Sequence, residues 1–434
     1  MERTGAKLLS ASKIFFAMFR RDAPAEADFR LEVRTWLEAN LPVALRARTT
    51  RPPPAELMPW YHTLSRKGWI APHWPRQYGG MGATLNEQII MTEELARIGA
   101  PHLPVQGLNH IGPILMEFGT AAQKARHLPP IIAGTVIWAQ GYSEPGAGSD
   151  LASLATRATL AHVPEKWEPV FRKGHAPTNE SGAHPDSTQS GCAPEGDHFV
   201  VRGHKIWTTW AHHSDWMFAL VRTDPQAQPR QAGISFLLID LHSPGIRIRP
   251  IRTIAGDDEF SEVFFDDVIV PAENLVGKLH DGWRIANALL GHERLATSNP
   301  QFSLMALERI KTMAHASGIM ADPAFQDRLA AASINVTALS ALFSHAVELA
   351  NHQQAPGPES SVIKIFASEL LQTLNDLLLE AAGGHAPMES PITTDFGAVD
   401  VAAPFLQSRR VTIYGGSSEI QRNVLARRVL NLPS

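Results

Sequence analysis

The chain is expected to fold as α+β, mostly α, with an N-terminal helical domain, a middle antiparallel β domain and a C-terminal four-helix bundle. Two changes of hydrophobic period predict that order. From Asp28 apolar residues recur at helical spacing, from about Trp138 they alternate with polar ones, and after Pro271 the helical spacing returns. The expected segments are therefore an extension over residues 1–27, helices over 28–137, strands over 138–271 and the bundle over 272–434.

The opening "MERTGAKLLSASKIFFAMFRR" is basic with an apolar centre and lacks a small-residue cleavage site, so it reads as a peripheral extension. "FRLEVRTWLEANLP" is a helix stopped at Asn-Leu-Pro. "TLNEQIIMTEELARIG" is a second helix, opened by Thr84 and Glu87 at capping-box spacing and closed at Gly99. The runs "HFVVRGHKIWTT", "DWMFALVRTD", "GISFLLIDL", "GIRIRPI" and "SEVFFDDVIVP" alternate and are separated by Gly, Pro or Asp, which predicts antiparallel strands. Residues 162–197, rich in Gly, Pro, Ser and His, have no sustained period and are expected to form a long surface loop. "DGWRIANALLGHERL", "SLMALERIKTMA", the run from Asp322 to Ala350, "SVIKIFASELLQTLNDLLLEAAGG" and "SSEIQRNVLARRVL" supply the bundle.

Composition excludes several function classes. At 434 residues and 44% hydrophobic content the chain can bury a large core. A net charge of −4 and a pI near 6.6 give no basic field for nucleic acid, so none is expected as a partner. One cysteine, Cys192, cannot close an internal disulfide. No stretch is expected to approach the roughly 20 apolar residues of a membrane span. His212 and His213 beside Asp215 lack a third ligand at familiar spacing, so no metal is expected.

Three stretches carry candidate chemistry. "GYSEPGAGSDLASLATRA" (residues 141–158) gathers hydroxyls, a carboxylate and glycines, whose free N–H groups suit a phosphate or a heterocycle. By strand alternation in "HKIWTTWAHHSDW", Trp207 and Thr209 share a face, where a flat ring could stack while the hydroxyl bonds to it. "IYGGSSEIQR" is a Gly-Gly-Ser-Ser loop opening a helix, a place whose N–H groups favour an anion. Read alone, each also fits a structural turn or a core aromatic.

Together, "YSEPGAGSD", "KIWTT", "GISFLLIDLHSPGIRIRPI", "EVFFDDVIVPAENLVG" and "IYGGSSEIQRNVLARRVL" resemble the acyl-CoA dehydrogenase family of flavoproteins, in the family's order and from about Asp28 to the end. "WPRQYGGMGAT" also fits. The resemblance implies non-covalent FAD between the β domain and the bundle, an acyl-CoA substrate and an electron-transfer flavoprotein as electron acceptor. It implies a cytoplasmic enzyme, or a mitochondrial-matrix one in a eukaryote, in fatty-acid β-oxidation. By motif position, Tyr142, Ser143, Gly148 and Ser149 would line the flavin and thioester crevice, with Ser149 also meeting substrate. Trp207 and Thr209 would lie against the isoalloxazine, Ser417 and Glu419 would hold the FAD, and "ARIGAPHLPVQGLNHIG" would border the acyl pocket.

Dehydrogenation at the α and β carbons needs a base. Many members place a glutamate after the tyrosine of the C-terminal loop, but here that position is Gly415, whose N–H, with Gly416, would instead serve the thioester carbonyl. The expected base is Glu293. Trp283, Ala286, Asn287 and Leu290 mark one face of its helix, the stripe continues to Glu293 and Arg294, and a minority branch including isovaleryl-type enzymes carries its base there. Leu290 and Arg294 would then border the substrate. Glu380, Gly383 and Gly384 stand where many members have a Gln-Gly-Gly cofactor site, with Glu replacing Gln. An arginine that often reaches the neighbouring subunit's FAD is not evident around "IKTMAHASGI". These departures leave a homo-oligomer and a heteromer with a sister chain both open. Oxygen-using flavin oxidase or monooxygenase chemistry on the same fold, and a non-catalytic partner subunit, are the alternatives. The acyl group is not legible.

Overall fold

The computed structural model describes residues 22–161, 197–351 and 360–433, with the backbone alone over 291–297 and at 347, 350 and 351. The expected loop at 162–197, save Asp197, lies outside the described residues, as do Cys192 and most of the 1–27 extension.

The first helix, α1 (Pro24–Asn40), begins four residues before the expected domain start, with Pro24 at a position where its missing N–H costs nothing. It is followed by α2 (Pro54–Lys67) and α3 (Leu85–Arg97). The expected capping box is present: Glu87 N–H donates to Thr84 Oγ1 at 3.2 Å and Thr84 N–H to Glu87 Oε2 at 2.7 Å. Glu94 of α3, 2% exposed, accepts from Arg34 of α1 at 2.7 Å and from Arg97 at 2.6 Å, so its buried charge is compensated. Trp74 is fully buried and its Nε1 donates to the Leu108 carbonyl at 2.7 Å. That carbonyl lies in a π-helical stretch, Gln106–Ile111, which runs into α4 (Gly112–Phe118). A Cβ at Gly112 would stand 1.9 Å from Trp74 Cζ2, so the helix meets the indole only through a glycine. α5 (Ala121–Ala133) completes this part.

The sheet comprises β1 (Trp138–Gly141), β2 (Arg157–Ala161), β3 (His198–Thr209), β4 (Trp216–Arg222), β5 (Ile234–Asp240), β6 (Ile246–Ile251), β7 (Phe260–Pro271) and β8 (Leu275–Val276). Their order is β6-β7-β3-β2-β4-β5-β8, with β1 pairing β4. The sheet is mixed, which corrects the antiparallel expectation: β1 runs parallel to β4 from Trp138↔Trp216, and Arg157 of β2 pairs in parallel with Arg222. Alternation reports which face a residue takes but not strand direction, which the long connections decide. Gln123 of α5 ties helices to sheet, its Nε2 donating to the carbonyls of Glu273 at 2.8 Å and Leu275 at 2.9 Å.

The bundle is α6 (Gly282–Thr297), α7 (Gln301–Ser317), α8 (Pro323–Asn351) and α9 (Ser360–Ala382), followed by the hairpin β9 (Ile392–Thr394) and β10 (Gly397–Val399), α10 (Ala402–Ser408) and α11 (Ser418–Arg428). Ile310, Phe325, Val336, Leu339, Leu374 and Leu378 form its dry centre. Contrary to the expectation that no stretch nears a span, Pro323–Ala346 of α8 is long and apolar enough to cross a bilayer by length and composition. One stripe of it, Phe325, Leu329, Ala332, Val336 and Leu339, is packed into the bundle, while about a fifth of the apolar window is buried (22%). On α6 the buried face is Ile285, Ala286 and Leu289, and Asn287 is exposed, so the expected stripe is rotated toward β5.

Replacing Gln123 by Ala leaves two interdomain carbonyls without a donor. Thermal unfolding of the FAD-loaded protein should show a destabilisation of roughly 1–3 kcal/mol; an unchanged transition would mean that Gln123 does not couple the layers.

Candidate active site

β3 delivers the central residues. Its alternation breaks at an irregularity between Lys205 and Thr208, where both side chains are buried although three positions apart. Trp207 sits inside this bulge with a φ of +60°, and Trp210 follows at +57°, a conformation that bulky residues adopt only under constraint. The bulge turns Trp207 outward, leaving it 56% exposed, and Thr209 is half-buried on the same side. The Phe260 ring meets Trp207 edge-on at 5.9 Å, and the Arg410 guanidinium lies 5.0 Å from the centre of that Phe260 ring.

A buried ion pair that the sequence reading missed holds this platform. Lys205, with no exposed surface, donates to Glu144 Oε1 at 2.7 Å and to the Tyr142 carbonyl at 3.1 Å. Glu144 also accepts from the N–H groups of Ala155 at 2.6 Å and Thr156 at 2.9 Å. Burial pushes the Lys205 ammonium down to about 8 against the pull of Glu144, so it stays charged at neutral pH. Burial raises Glu144, but the Lys205 charge and these hydrogen bonds outweigh it and leave its carboxyl below the ordinary range. The pair fastens the 142–156 loop to β3 just ahead of Trp207. The signal was present as Glu144 within a glycine-rich turn and Lys205 two residues before the tryptophan, but 61 residues of chain separate them.

Within that loop, Ser143 is half-buried and its carbonyl accepts from Ile206 N–H at 3.0 Å, while Gly148 and Ser149 are exposed. A Cβ on Gly148 would meet nothing within 4 Å, so the backbone is open to a ligand. Tyr142 is 6% exposed, its ring packs against Phe218 and Phe236, and its carbonyl accepts from Lys205.

The C-terminal loop is shaped by Gln421, a second residue missed from sequence. Its Nε2 donates to the carbonyls of Gly415 at 3.1 Å and Gly416 at 3.3 Å, while Ser361 of α9 donates to its Oε1 at 2.7 Å. Gly415 and Gly416 have φ of +65° and +88°, and a Cβ on Gly416 would stand 2.4 Å from Gln421 Nε2. Ser417 caps α11, accepting from Ile420 N–H at 3.4 Å. Its hydroxyl and the backbone N–H at 419 lower the Glu419 carboxyl, which is open to solvent. Ile413 and Tyr414 of this loop remain 66% and 45% exposed.

Glu380 lies about two turns beyond Gln372 on α9, Gly383 and Gly384 follow the end of that helix, Gln372 bonds the Ser408 carbonyl ahead of the loop, and Glu380 pairs with Arg328 of α8. Leu290 is half-buried on α6, and Glu293 and Arg294 lie on the same helix, in its backbone-only part. Among the described residues no three His, Cys, Asp or Glu groups gather as a metal site.

The sequence pattern of the acyl-CoA dehydrogenase N-terminal domain matches residues 23–135, that of the middle domain 178–268 and that of the C-terminal domain 280–430. The chain belongs to the acyl-CoA dehydrogenase family. It is 35% identical over 421 residues to the acyl-CoA dehydrogenase IpdE1 of Mycolicibacterium smegmatis, covering 94% of this chain and 97% of that one. It is 36% identical to IpdE1 of Mycobacterium tuberculosis, with the same coverage. Among solved structures, the Tcur3481-Tcur3483 steroid ACAD superposes with a TM-score of 0.78 at 27% identity, covering 95% of this chain and 99% of that one. The ChsE4-ChsE5 complex from Mycobacterium tuberculosis does so with 0.73 at 29%, covering 96% and 100%. This acyl-CoA dehydrogenase is an FAD enzyme, and its residues fit the group: an exposed tryptophan on a constrained bulge, an open glycine backbone and a capped helix start.

Two outcomes check the site. Gly416→Ala adds a side chain at a left-handed position against Gln421, so the purified protein should retain much less FAD, read by flavin absorbance per chain. Removing Lys205 with Lys205→Met strands Glu144 and should cost roughly 3–5 kcal/mol. In the parent, because the folded Glu144 carboxyl lies below its unfolded value of 4.5, its contribution is present above that pH and lost as pH falls through the lowered folded value. Acid unfolding followed with and without the pair should show that difference.

Proposed function

We propose that this acyl-CoA dehydrogenase oxidises an acyl-CoA to the trans-2-enoyl-CoA, with Glu293 as the base for the α-proton. The reading rests on one observation: the C-terminal loop carries no carboxylate at the expected place, since Gly415 occupies it in a left-handed turn. Position 293 follows Ala286 by two helical turns and Leu289 by about one on the same helix, α6. A thioester α-proton needs a carboxylate or similar base to take it, and Glu293 supplies that group where Gly415 does not.

FAD supplies, when bound, the acceptor for the hydride leaving the β carbon. Trp207 and Thr209 would hold its ring, Ser143, Gly148 and Ser149 would line the crevice, and Ser417 and Glu419 would secure the cofactor from α11. The Gly415 N–H donates to the thioester oxygen, drawing off charge as Glu293 removes the proton. Leu290, Arg294 and Gly416 border the thioester.

The two-chain neighbours support assembly with a sister subunit, and the steroid ACAD among them supports a bulky polycyclic acyl group. Glu380, Gly383 and Gly384 would then serve a neighbouring chain's cofactor. The electron acceptor is an electron-transfer flavoprotein.

Glu293→Gln should lower turnover by roughly 10²-fold or more while the protein stays yellow. Near-normal rates of flavin bleaching by acyl-CoA in that variant would remove Glu293 from the role.

A further inference from the structure

The C-terminal loop holds its shape without a hydrophobic anchor. From Arg409 to Pro433 no apolar side chain is buried, and the two buried residues, Ser418 and Gln421, are polar. Gln421 is 1% exposed, and Ser361, whose hydroxyl donates to its Oε1, has no exposed surface. With no core to fix it, the loop takes its direction from hydrogen bonds. Ser418 N–H closes its two ends by donating to the Thr412 carbonyl at 2.9 Å, and the Gln421 amide sets what lies between.

A carbonyl and the N–H of the next residue share one planar unit, and in its trans form they point in opposite directions. The peptide units of this loop are trans. Gln421 Nε2 draws the Gly415 carbonyl to 3.1 Å and the Gly416 carbonyl to 3.3 Å. The N–H groups of Gly416 and Ser417 are thereby turned the other way, away from Gln421 and from the α9 side chain that holds it. Two consecutive carbonyls can face one donor because both glycines are left-handed, and in a helical turn of either hand successive carbonyls point alike. Among the described residues, neither of the two N–H groups meets an acceptor.

Ser417 then opens α11, so these donors add to the positive end of that helix. A pair of parallel N–H groups ahead of a helix start suits an oxygen acceptor. The FAD of this family brings phosphate and ring-carbonyl oxygens to the crevice.

We propose that Gln421, backed by Ser361, is a positioning residue for FAD: by holding two carbonyls inward it aims the Gly416 and Ser417 N–H groups at oxygen acceptors of the cofactor. Ser361 is needed because an amide whose Nε2 faces two carbonyls leaves its Oε1 to find a donor in a buried place. Both side chains act through the turn and neither meets a reacting atom. The Gly415 N–H belongs to the preceding peptide unit, which Gln421 does not hold, so its part in the thioester reading stands or falls separately.

The test uses the FAD-loaded protein. Gln421→Met keeps the length of the side chain and removes its donor, and Gln421→Glu sets a carboxylate against two carbonyls. Each should raise the FAD dissociation constant about 10- to 100-fold, read from flavin fluorescence as the holoprotein is diluted, and Ser361→Ala about 3- to 10-fold. A purely structural role would weaken FAD without changing how the bound cofactor is hydrogen-bonded. At protein concentrations that keep the variants loaded, phosphorus NMR of the pyrophosphate or the infrared bands of the flavin carbonyls should therefore differ from the parent, and the signal that moves identifies the oxygens met. Unchanged phosphate and carbonyl signals in the loaded variants overturn the proposal, and so does an FAD dissociation constant within about twofold of the parent in Gln421→Glu. Should the Gln421 variants fail to fold, Ser361→Ala carries both readouts, with the same outcomes deciding.

Discussion

A lysine ammonium and a glutamate carboxylate, both inside the protein, hold the crevice together. Isolated, either charge would be costly to bury; joined at 2.7 Å, with two backbone N–H groups on the carboxylate and a carbonyl on the ammonium, they become a rivet. Its position matters more than its net energy. One end lies in the glycine-rich loop and the other in β3, two residues before Trp207. The bulge, the outward turn of the indole and the open face of Gly148 all depend on those two segments keeping register.

The C-terminal side of the crevice uses neutral groups for the same end. Gln421 gathers two consecutive carbonyls of a left-handed Gly-Gly turn and is itself held by Ser361 of α9. The turn thus belongs to the bundle, while Trp207 belongs to the sheet. Phe260 and Arg410 join them across the gap. Apolar surface at Trp207, Ile413 and Tyr414 stays open where a flat cofactor would cover it.

Much of this was legible in the chain. The changes of period located helices, strands and bundle because burial on one face imposes a repeat of 3.6 or 2 residues. The capping box at Thr84 and Glu87 was readable because it is closed by residues three apart. The absence of a carboxylate at Gly415 followed from the motif itself. Contacts between distant residues left no such pattern: nothing near Lys205 announces Glu144, and nothing near Gln421 announces Ser361. Asn287 was misplaced because a stripe drawn from apolar spacing does not say which neighbour the helix faces, and α6 turns toward β5.

By itself, then, the sequence determined the order of layers and the family, because these depend on local period and on motifs of adjacent residues. Only the tertiary structure decided the mixed direction of the sheet, the packing of the Tyr142 ring against Phe218 and Phe236, and the pairing of Lys205 with Glu144. Those are properties of groups far apart in the chain, whose hydrogen bonds and burial exist only once the layers close on one another.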